Sequence, residues 1–399
     1  MHNRFHSLDL ILSQYRSLWQ VSLYNHLDYP WRDSFPYLCQ WLDEMSDEQV
    51  CQFKNDPKRL SKSITPWIEE AEELNALSHV PAAKHRKVTS LRGIETGIPG
   101  RKWQQIESFV ASIDTHKDNW LEWCAGKGYL GRLLATQNAR SAVTSIEWQS
   151  NLCHEGQTYA DKHHLNMTFI EADALISQSQ QYVEKDQHAV ALHACGDLHT
   201  QLLHLAINAA TEQVSISPCC YHLTSAEKYI PLSKTAQSTA LELTKRDLRL
   251  PLQETVTAGK RTQRHRLLEV SYRLGFDLLQ RSIFNNQHYL SVPSIKKSLL
   301  ANGFEFFCVW AAKQKCLELP NNLDFDHWLK QGEKRSKLVD RMDLVQLIFK
   351  RPLELWLVLD RALYLQESGY TVNVATFCER QFTPRNILIN AKRSHLAWN

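Results

Sequence analysis

The chain has 399 residues, of which 43% are hydrophobic and 22% are charged, and its formal net charge is +3. This balance is ordinary for globular proteins, so it argues against a disordered chain and for two or three domains with sizeable cores. A small net charge neither indicates nor excludes a nucleic-acid partner, because local patches matter more than the sum.

The amino-terminal sequence lacks the continuous apolar segment and the small-residue cleavage site of a signal peptide. No apolar run approaches the ~18 residues that would indicate a membrane span. The ten cysteines include no Cys-x-x-Cys pair, and without an export signal reduced thiols are the expected state. We therefore expect a cytoplasmic protein that has no contact with a membrane.

Residues 1–83 are rich in tryptophan and mostly helical in pattern, which predicts an N-terminal helical domain. Within it, Ser46 followed by Glu48 and Gln49 is typical of a helix N-cap. Nothing in this segment indicates a chemical function.

Residues 84–221 alternate between short apolar segments and helical segments, after an amphipathic helix near 103–113. The strand-like segments are NWLEWCA, AVTSIEW, MTFIEAD, HAVALHA and QVSISP. The helices between them are predicted at 129–138, 149–164, 175–185 and 198–210. Such alternation predicts βαβ units, and therefore an α/β fold with a Rossmann-like, doubly wound parallel sheet.

After Tyr221 the alternation stops, and residues 222–354 are helical and rich in charge. They predict a helical insertion, which is a candidate substrate-binding region. Residues 355–399 contain a C-terminal helix and two strand-like segments, YTVNVATF and RNILINAK. The insertion is therefore expected to precede the last two strands of the sheet.

Three of only 13 glycines, Gly126, Gly128 and Gly131, lie in EWCAGKGYLGR directly after the first predicted strand. A Walker A loop is excluded, because Lys127 is followed by glycine instead of serine or threonine. The dinucleotide motif Gly-x-Gly-x-x-Gly fits literally, but the nearby carboxylate of Glu122 would repel a pyrophosphate. A ligand that carries positive charge suits this turn better.

The same segment, written Glu122-x-Cys124-x-Gly126-x-Gly128, resembles the class I methyltransferase motif, with cysteine in place of the first glycine. The resemblance implies S-adenosyl-L-methionine (SAM), which has an ammonium and a sulfonium group, as the cofactor. Glu147 and Asp173 end the second and third predicted strands, where they could accept hydrogen bonds from the ribose hydroxyls and the adenine amino group. Both could instead cap the helices that follow. The predicted cofactor-binding residues are Glu122, Cys124, Gly126, Gly128, Glu147, Asp173 and His193.

The resemblance becomes narrower at CAGKGYLGR, LHACGDLH and SPCCYHLT, and at the closing LDRALYLQESGY and FTPRNILI. Together these segments resemble a group of eukaryotic methyltransferase-like proteins and their bacterial relatives, over about residues 95–225 and 355–393. More distantly they resemble the tRNA 2′-O-ribose methyltransferase that acts on the acceptor stem. That enzyme carries a CCHH-like run and an extra zinc finger, which this sequence lacks. The resemblance implies RNA, with tRNA first, as the substrate class.

LHACGDLH and SPCCYH would end adjacent strands, so their polar side chains are expected to meet near the transferred methyl group. We predict Asp197, His193 and Tyr221 as catalytic residues, with Asp197 and His193 as the candidate general bases. Positioning supplies most of the rate enhancement in an in-line methyl transfer, and a base contributes when the acceptor is a hydroxyl or an amine.

The cysteines of these two segments allow three further hypotheses. Pro218-Cys219 matches the dipeptide of enzymes that attack a pyrimidine ring covalently. Cysteine and histidine also suit zinc or an iron–sulfur cluster, although consecutive cysteines are an unusual chelating spacing. Finally, Cys195, Cys219 and Cys220 could simply be small buried residues. We favour the last hypothesis and therefore expect no metal.

Residues 245–266 contain seven Lys and Arg against two Asp and Glu. Such a segment could follow the phosphates of RNA, or it could be a solvated helical face. The sequence thus predicts a SAM-dependent methyltransferase acting on RNA. A protein or small-molecule acceptor, and a non-catalytic SAM- or metal-binding regulatory module, stay as alternatives. No obligate protein partner can be inferred.

Overall fold

The computed structural model describes residues 1–253 and 260–394, and for residues 260–263 it describes the backbone alone. The α-helices in chain order are α1 His2–Gln14, α2 Arg16–Trp19, α3 Pro36–Glu44, α4 Asp47–Asn55, α5 Pro57–Ile64, α6 Ala71–Leu77, α7 Gly100–Ala111, α8 Tyr129–Leu134, α9 Ser150–Lys162, α10 Asp197–Asn208, α11 Lys234–Gln237, α12 Lys260–Phe284, α13 Gly303–Gln314 and α14 Phe325–Glu367. The 3₁₀ helices are Leu23–Asn25, Ser177–Tyr182, Asp247–Gln253 and Lys297–Asn302. The strands are β1 Asn119–Trp123, β2 Ala142–Glu147, β3 Met167–Glu171, β4 His188–Cys195, β5 Gln213–Cys219, β6 Tyr370–Thr376 and β7 Ile387–Arg393.

These strands form one sheet in the order β3-β2-β1-β4-β5-β7-β6. β1 to β5 are parallel, whereas β7 pairs antiparallel with both β5 and β6. β2 and β3 lie on one side of β1, and β4 and β5 lie on the other. This change of direction creates a switch point at the carboxyl ends of β1 and β4. The order confirms the Rossmann-like class I methyltransferase sheet expected from the sequence, including its last two strands.

One apolar cluster packs α7 and α8 against the sheet. Ile106, Phe109 and Val110 of α7 are fully buried, together with Trp120 of β1 and Leu388 of β7. Burial of each such side chain contributes about 1.5–3 kcal/mol to the stability of the fold. The amphipathic pattern near 103–113 therefore predicted the buried face of α7 correctly.

One predicted helix differs in kind. The segment near 175–185 forms a 3₁₀ helix over Ser177–Tyr182, because its serine and glutamine residues supply no apolar periodicity to hold an α-helix against the sheet. The predicted cap at Ser46 is present, since its hydroxyl accepts the backbone N–H of Gln49 and the Gln49 side chain accepts the N–H of Ser46.

The chain divides into two compact units. The first contains residues 1–13, 77–257 and 350–399, and the second contains residues 14–76 and 258–349. The first holds the whole sheet, and the second is helical in its described residues.

The division cuts across two of the predicted segments. Most of residues 1–83 and the later part of residues 222–354 fall together in the helical unit, whereas residues 222–257 stay with the sheet. Within residues 1–253 and 260–394, no helix has both the length and the apolar character that a membrane crossing requires.

Candidate active site

The glycine turn links β1 to α8 through three residues with positive φ. These are Cys124 (φ 57°), Gly126 (φ 59°) and Gly128 (φ 66°). A β-carbon on Gly128 would lie 2.4 Å from the ring of Phe169, whereas one on Gly126 would have no atom within 4 Å. Gly128 is therefore needed for packing against β3, and Gly126 leaves open space where a ligand can approach the backbone.

Glu147, the last residue of β2, holds this turn by its carboxylate. Its Oε2 atom accepts the backbone N–H of Gly126 at 2.9 Å. Its Oε1 atom accepts the N–H groups of Trp148 at 3.1 Å and Gln149 at 3.0 Å. A carboxylate has about four acceptor positions, and these three hydrogen bonds leave one, on Oε2, for a hydroxyl of a ribose.

A cleft of about 370 Å³ opens at the carboxyl end of β3, next to Trp148, the residue that follows Glu147. Its lining residues are Trp148, Glu171, Ala172, Asp173, Ile176, Gln178, Ser179 and Tyr182. Asp173 lies two residues beyond β3, and its Oδ1 atom accepts the N–H of Leu175 at 2.9 Å. The structure therefore brings Asp173 and Glu147 to the same edge of the sheet, as the sequence predicted.

Trp148 was missed by the sequence analysis. Its side chain is 69% exposed at the rim of the cleft, where a flat ring can stack on a purine. The available signal was an aromatic residue directly after a strand-ending carboxylate. Cys124 lies in the turn after β1, and burial, followed by the charges of Glu147, Cys195 and Asp173, raises the pKa of its thiol to about 12.

Glu122 lies in β1 and is buried between β2 and α8. Its side chain is 3% exposed, and Oε2 accepts the hydroxyl of Ser145 at 2.7 Å. It also accepts the backbone N–H of Gly131 in α8. Burial raises the pKa of this carboxyl to about 7. These contacts hold the Glu122 carboxyl under α8, and its role in cofactor binding stays a prediction.

The buried carboxyl predicts a pH dependence of stability. The folded-state pKa lies near 7 and the ordinary value is 4.5. The contribution of the protonated carboxyl to the free energy of unfolding is therefore fully present below pH 4.5 and is lost as the pH rises through 7. Glu122→Gln removes this loss. As the pH rises from 5 to 8, we therefore expect the free energy of unfolding of the variant to increase by about 2 to 3 kcal/mol relative to that of the parent. Urea unfolding at several pH values measures the difference. A constant difference across that range would mean that the carboxyl is already ionised in the folded protein at pH 5.

The second predicted group forms where β4 and β5 end. Cys195 pairs with Cys219 in the register of the two strands, after a bulge that begins at Leu192. Beyond the strands, the N–H of Gly196 donates to the carbonyl of Cys219 at 3.0 Å, and the N–H of Asp197 donates to Leu223 at 3.0 Å. The two segments therefore meet, as their placement after adjacent strands implied.

His193 lies in this group with a φ of 66°, and its ring Nε2 is 3.0 Å from Oε1 of Gln105. The amide oxygen can only accept, so Nε2 carries the proton and Nδ1 has the free electron pair. Burial, and then the charges of Lys102 and Arg385, lower the pKa of His193 to about 3. The imidazole is therefore neutral near pH 7 and is a weak base.

Asp197 is the first residue of α10, and its Oδ2 atom accepts the N–H of Ser225 at 2.7 Å. Among the residues that the structure describes, its Oδ1 atom has no hydrogen-bond partner. One oxygen thus fixes the carboxylate while the other can take a proton, which suits a general base better than the geometry of His193 does.

Tyr221 lies behind the site. Its side chain is 2% exposed, and its buried hydroxyl has no hydrogen-bond partner in the described part of the chain. The ring packs against the guanidinium of Arg361, 4.9 Å from the ring centre, and edge-on to His199. Its catalytic role was predicted from the motif alone, and this burial argues instead that it supports the β5 end from within.

Two cations near His193 escaped the sequence analysis. Lys102 is in the first turn of α7, and Arg385 is between β6 and β7. Both charges act on His193, and burial, followed by the charge of Arg249, lowers the pKa of His222. No local pattern marks these positions, although Arg385 does lie in the closing segment FTPRNILI.

Residues 101–227 match the model of a protein family that is described as a methyltransferase domain. This segment contains the glycine turn, both carboxylates beside the cleft and both cysteine-containing segments. A search of curated proteins gave no match.

The solved structures found are only distantly similar. An rRNA methylase from Streptococcus thermophilus is 12% identical over 30% of this chain and 71% of its own, with a TM-score of 0.24. Magnesium protoporphyrin IX methyltransferase from Synechocystis PCC 6803 with bound SAM is 10% identical over 85% of this chain and 98% of its own, with a TM-score of 0.31. Fibrillarin from Aeropyrum pernix with bound SAM is 13% identical over 37% of this chain and 65% of its own, with a TM-score of 0.26. Such scores carry no argument about substrate.

The open side of Gly126 and the spare acceptor position of Glu147 fit SAM, because an amino-acid moiety needs close backbone approach and a ribose hydroxyl needs an acceptor. The fold, this fit and the family match all support the same conclusion. The chain carries a methyltransferase domain within residues 101–227 and is a SAM-dependent methyltransferase.

Proposed function

We propose that the protein transfers the methyl group of SAM to RNA, with tRNA as the leading class. The observation that carries the proposal is the set of cations around the ends of β4 and β5, namely Lys102, Arg249 and Arg385, whose charges act on His193 and His222. Cations beside a methyl-transfer site favour an anionic acceptor, and RNA brings a phosphate at every nucleotide.

In this proposal, different residues of the chain bind the donor, accept the proton and contact the acceptor. SAM supplies an activated methyl group at its sulfonium. Glu147 and the turn at Gly126 orient the donor, and Trp148 covers the adenine side. Asp197 accepts the proton of the acceptor hydroxyl or amine through Oδ1. The neutral ring of His193, held by Gln105, packs beside the acceptor without competing for that proton.

The basic segment 245–266 supports the proposal only in part. Lys245 pairs with Glu227 at 3.1 Å, and Arg246 is 3.4 Å from Asp247, so both cations are at least partly neutralised. Residues 254–259, and the side chains of residues 260–263, lie outside the described structure. Arg249 of this segment also belongs to the sheet-containing unit, and its side chain is exposed.

The experiment uses the full chain, labelled SAM, and separate tRNA, rRNA and protein pools from a strain that lacks the gene. Label in tRNA is the expected result. Label in protein or in a small molecule would transfer the proposal to that class. SAM binding without any labelled product would identify a non-catalytic module.

For Arg249→Gln we expect weaker RNA binding and a salt dependence whose slope is smaller by about one unit, because one phosphate contact is lost. The matched control is Arg140→Gln. Arg140 is also exposed and pairs with Asp118 at 3.0 Å, but it precedes β2 and so lies at the opposite edge of the sheet. Asp197→Asn is the second control, which should abolish transfer and keep RNA affinity. Equal slopes for both arginine variants would remove the support for RNA.

A further inference from the structure

Three cysteine sulfurs lie together at the ends of β4 and β5. The Sγ atoms of Cys195, Cys219 and Cys220 are all within 4.8 Å of one another, and those of Cys195 and Cys219 are 3.5 Å apart. Cys195 and Cys220 are partly exposed, whereas Cys219 is buried. An ion could therefore enter from the solvent side and be held from the interior side.

The backbone explains how two consecutive cysteines reach one point. Successive side chains of a strand point to opposite faces, so Cys219 and Cys220 should diverge. Cys220 instead has a φ of 47°, a left-handed conformation that costs a non-glycine residue about 1 kcal/mol or more. This conformation ends the alternation and brings the Cys220 sulfur to the side of Cys219 and Cys195.

The sulfur separations match those of a tetrahedral metal site. Zinc binds thiolate sulfur at about 2.3 Å, which places two sulfurs of a tetrahedron about 3.8 Å apart. The observed 3.5 Å and the upper limit of 4.8 Å bracket that value. The sulfur separations are therefore compatible with zinc coordination.

We propose that Cys195, Cys219 and Cys220 bind one Zn²⁺ ion, with the fourth position left to a solvent molecule. Three protein ligands and one open position are typical of zinc sites that exchange ligands. Spacing along the chain argued against a metal, because Cys219 and Cys220 are consecutive. The strand register supplies the missing element, since it sets Cys195 opposite Cys219. The ion would also join the ends of β4 and β5, independently of which acceptor is methylated.

Elemental analysis of the full chain, purified without chelators from zinc-supplemented medium, should find about one zinc per chain. Cys195→Ser and Cys220→Ser should each lower this to a small fraction. Cys378→Ser is the matched control, because Cys378 is also partly exposed but lies outside the cluster, and it should keep the metal. Replacement of zinc by Co²⁺ in the parent protein should give the thiolate-to-cobalt charge-transfer band and the visible bands of tetrahedral cobalt. This measurement needs no variant to fold.

Two results would overturn the proposal. The first is a parent protein that neither contains zinc nor gives the cobalt spectrum. The second is a free-thiol count, in denaturant and without reductant, that is two below the ten cysteines of the chain because Cys195 and Cys219 are joined by a disulfide. Failure of RNA methylation alone would leave the metal site untouched, since the two proposals have separate readouts.

Discussion

Replacing Gly126 by aspartate should weaken SAM binding about 30- to 140-fold, which corresponds to about 2–3 kcal/mol. The new side chain would occupy the open space beside the turn and would add a second carboxylate next to Glu147, whose Oε2 atom accepts the N–H of residue 126. Aspartate tolerates positive φ better than most residues, so the effect should fall on the ligand more than on the fold. Isothermal calorimetry with SAM measures the change.

Gly369→Asp is the matched control. Gly369 also has a positive φ, of 87°, and open space around its β-carbon position. It precedes β6, whose first residue pairs with the end of β7, so it lies at the opposite edge of the sheet from the cleft. This variant should bind SAM like the parent protein. Equal losses in both variants would show that strain, and not proximity to the ligand, explains the effect at Gly126.

Replacing Gly196 by alanine should cost more than about 3 kcal/mol of folding free energy. Its φ of 55° and ψ of −124° belong to a region that essentially only glycine adopts. A β-carbon there would also lie 1.8 Å from the carbonyl oxygen of Leu223. Relief would require the segment after β5 to move away, which would break the hydrogen bonds that Asp197 makes to Leu223 and Ser225. Urea unfolding and the rate of methyl transfer should both be affected.

Gly100→Ala is the control for this substitution. Gly100 is the first residue of α7 and has open space at its β-carbon position, so alanine should change the stability by no more than about 0.5 kcal/mol. A Gly196→Ala variant as stable as Gly100→Ala would mean that residues 196 and 223 do not approach each other in the folded protein.

Most of the sheet could be predicted from the sequence, because each strand is an apolar run followed by a turn or a helix cap. The segments HAVALHA and QVSISP correspond closely to β4 and β5, and YTVNVATF and RNILINAK to β6 and β7. The sequence also placed Glu147 and Asp173 at the ends of the second and third strands, and the carboxyl ends of parallel strands share one edge.

The orientation of individual side chains could not be predicted in the same way. A strand buried on both faces shows no alternation, so nothing in NWLEW distinguishes a carboxylate beside the cofactor from one beneath α8. The same limit applies to Tyr221, because positive φ at Cys220 changes which way the following side chain points. Lys102 and Arg385 approach the site from distant parts of the chain, and their placement follows only from how α7 and the β6–β7 connection pack.

The position of β7 in the sheet has a consequence for synthesis on the ribosome. β5 pairs on one side with β4 and on the other with β7, and β7 is translated only after the whole of residues 220–386. Until Ile387–Arg393 has left the exit tunnel, β5 is an unpaired edge strand that offers its N–H and C=O groups to any other extended chain. β5 therefore keeps this open edge while residues 220–386 are synthesised, and these include residues 258–349 of the helical unit. We expect chaperone dependence during that interval, since long-range pairing of this kind is slow and prone to aggregation.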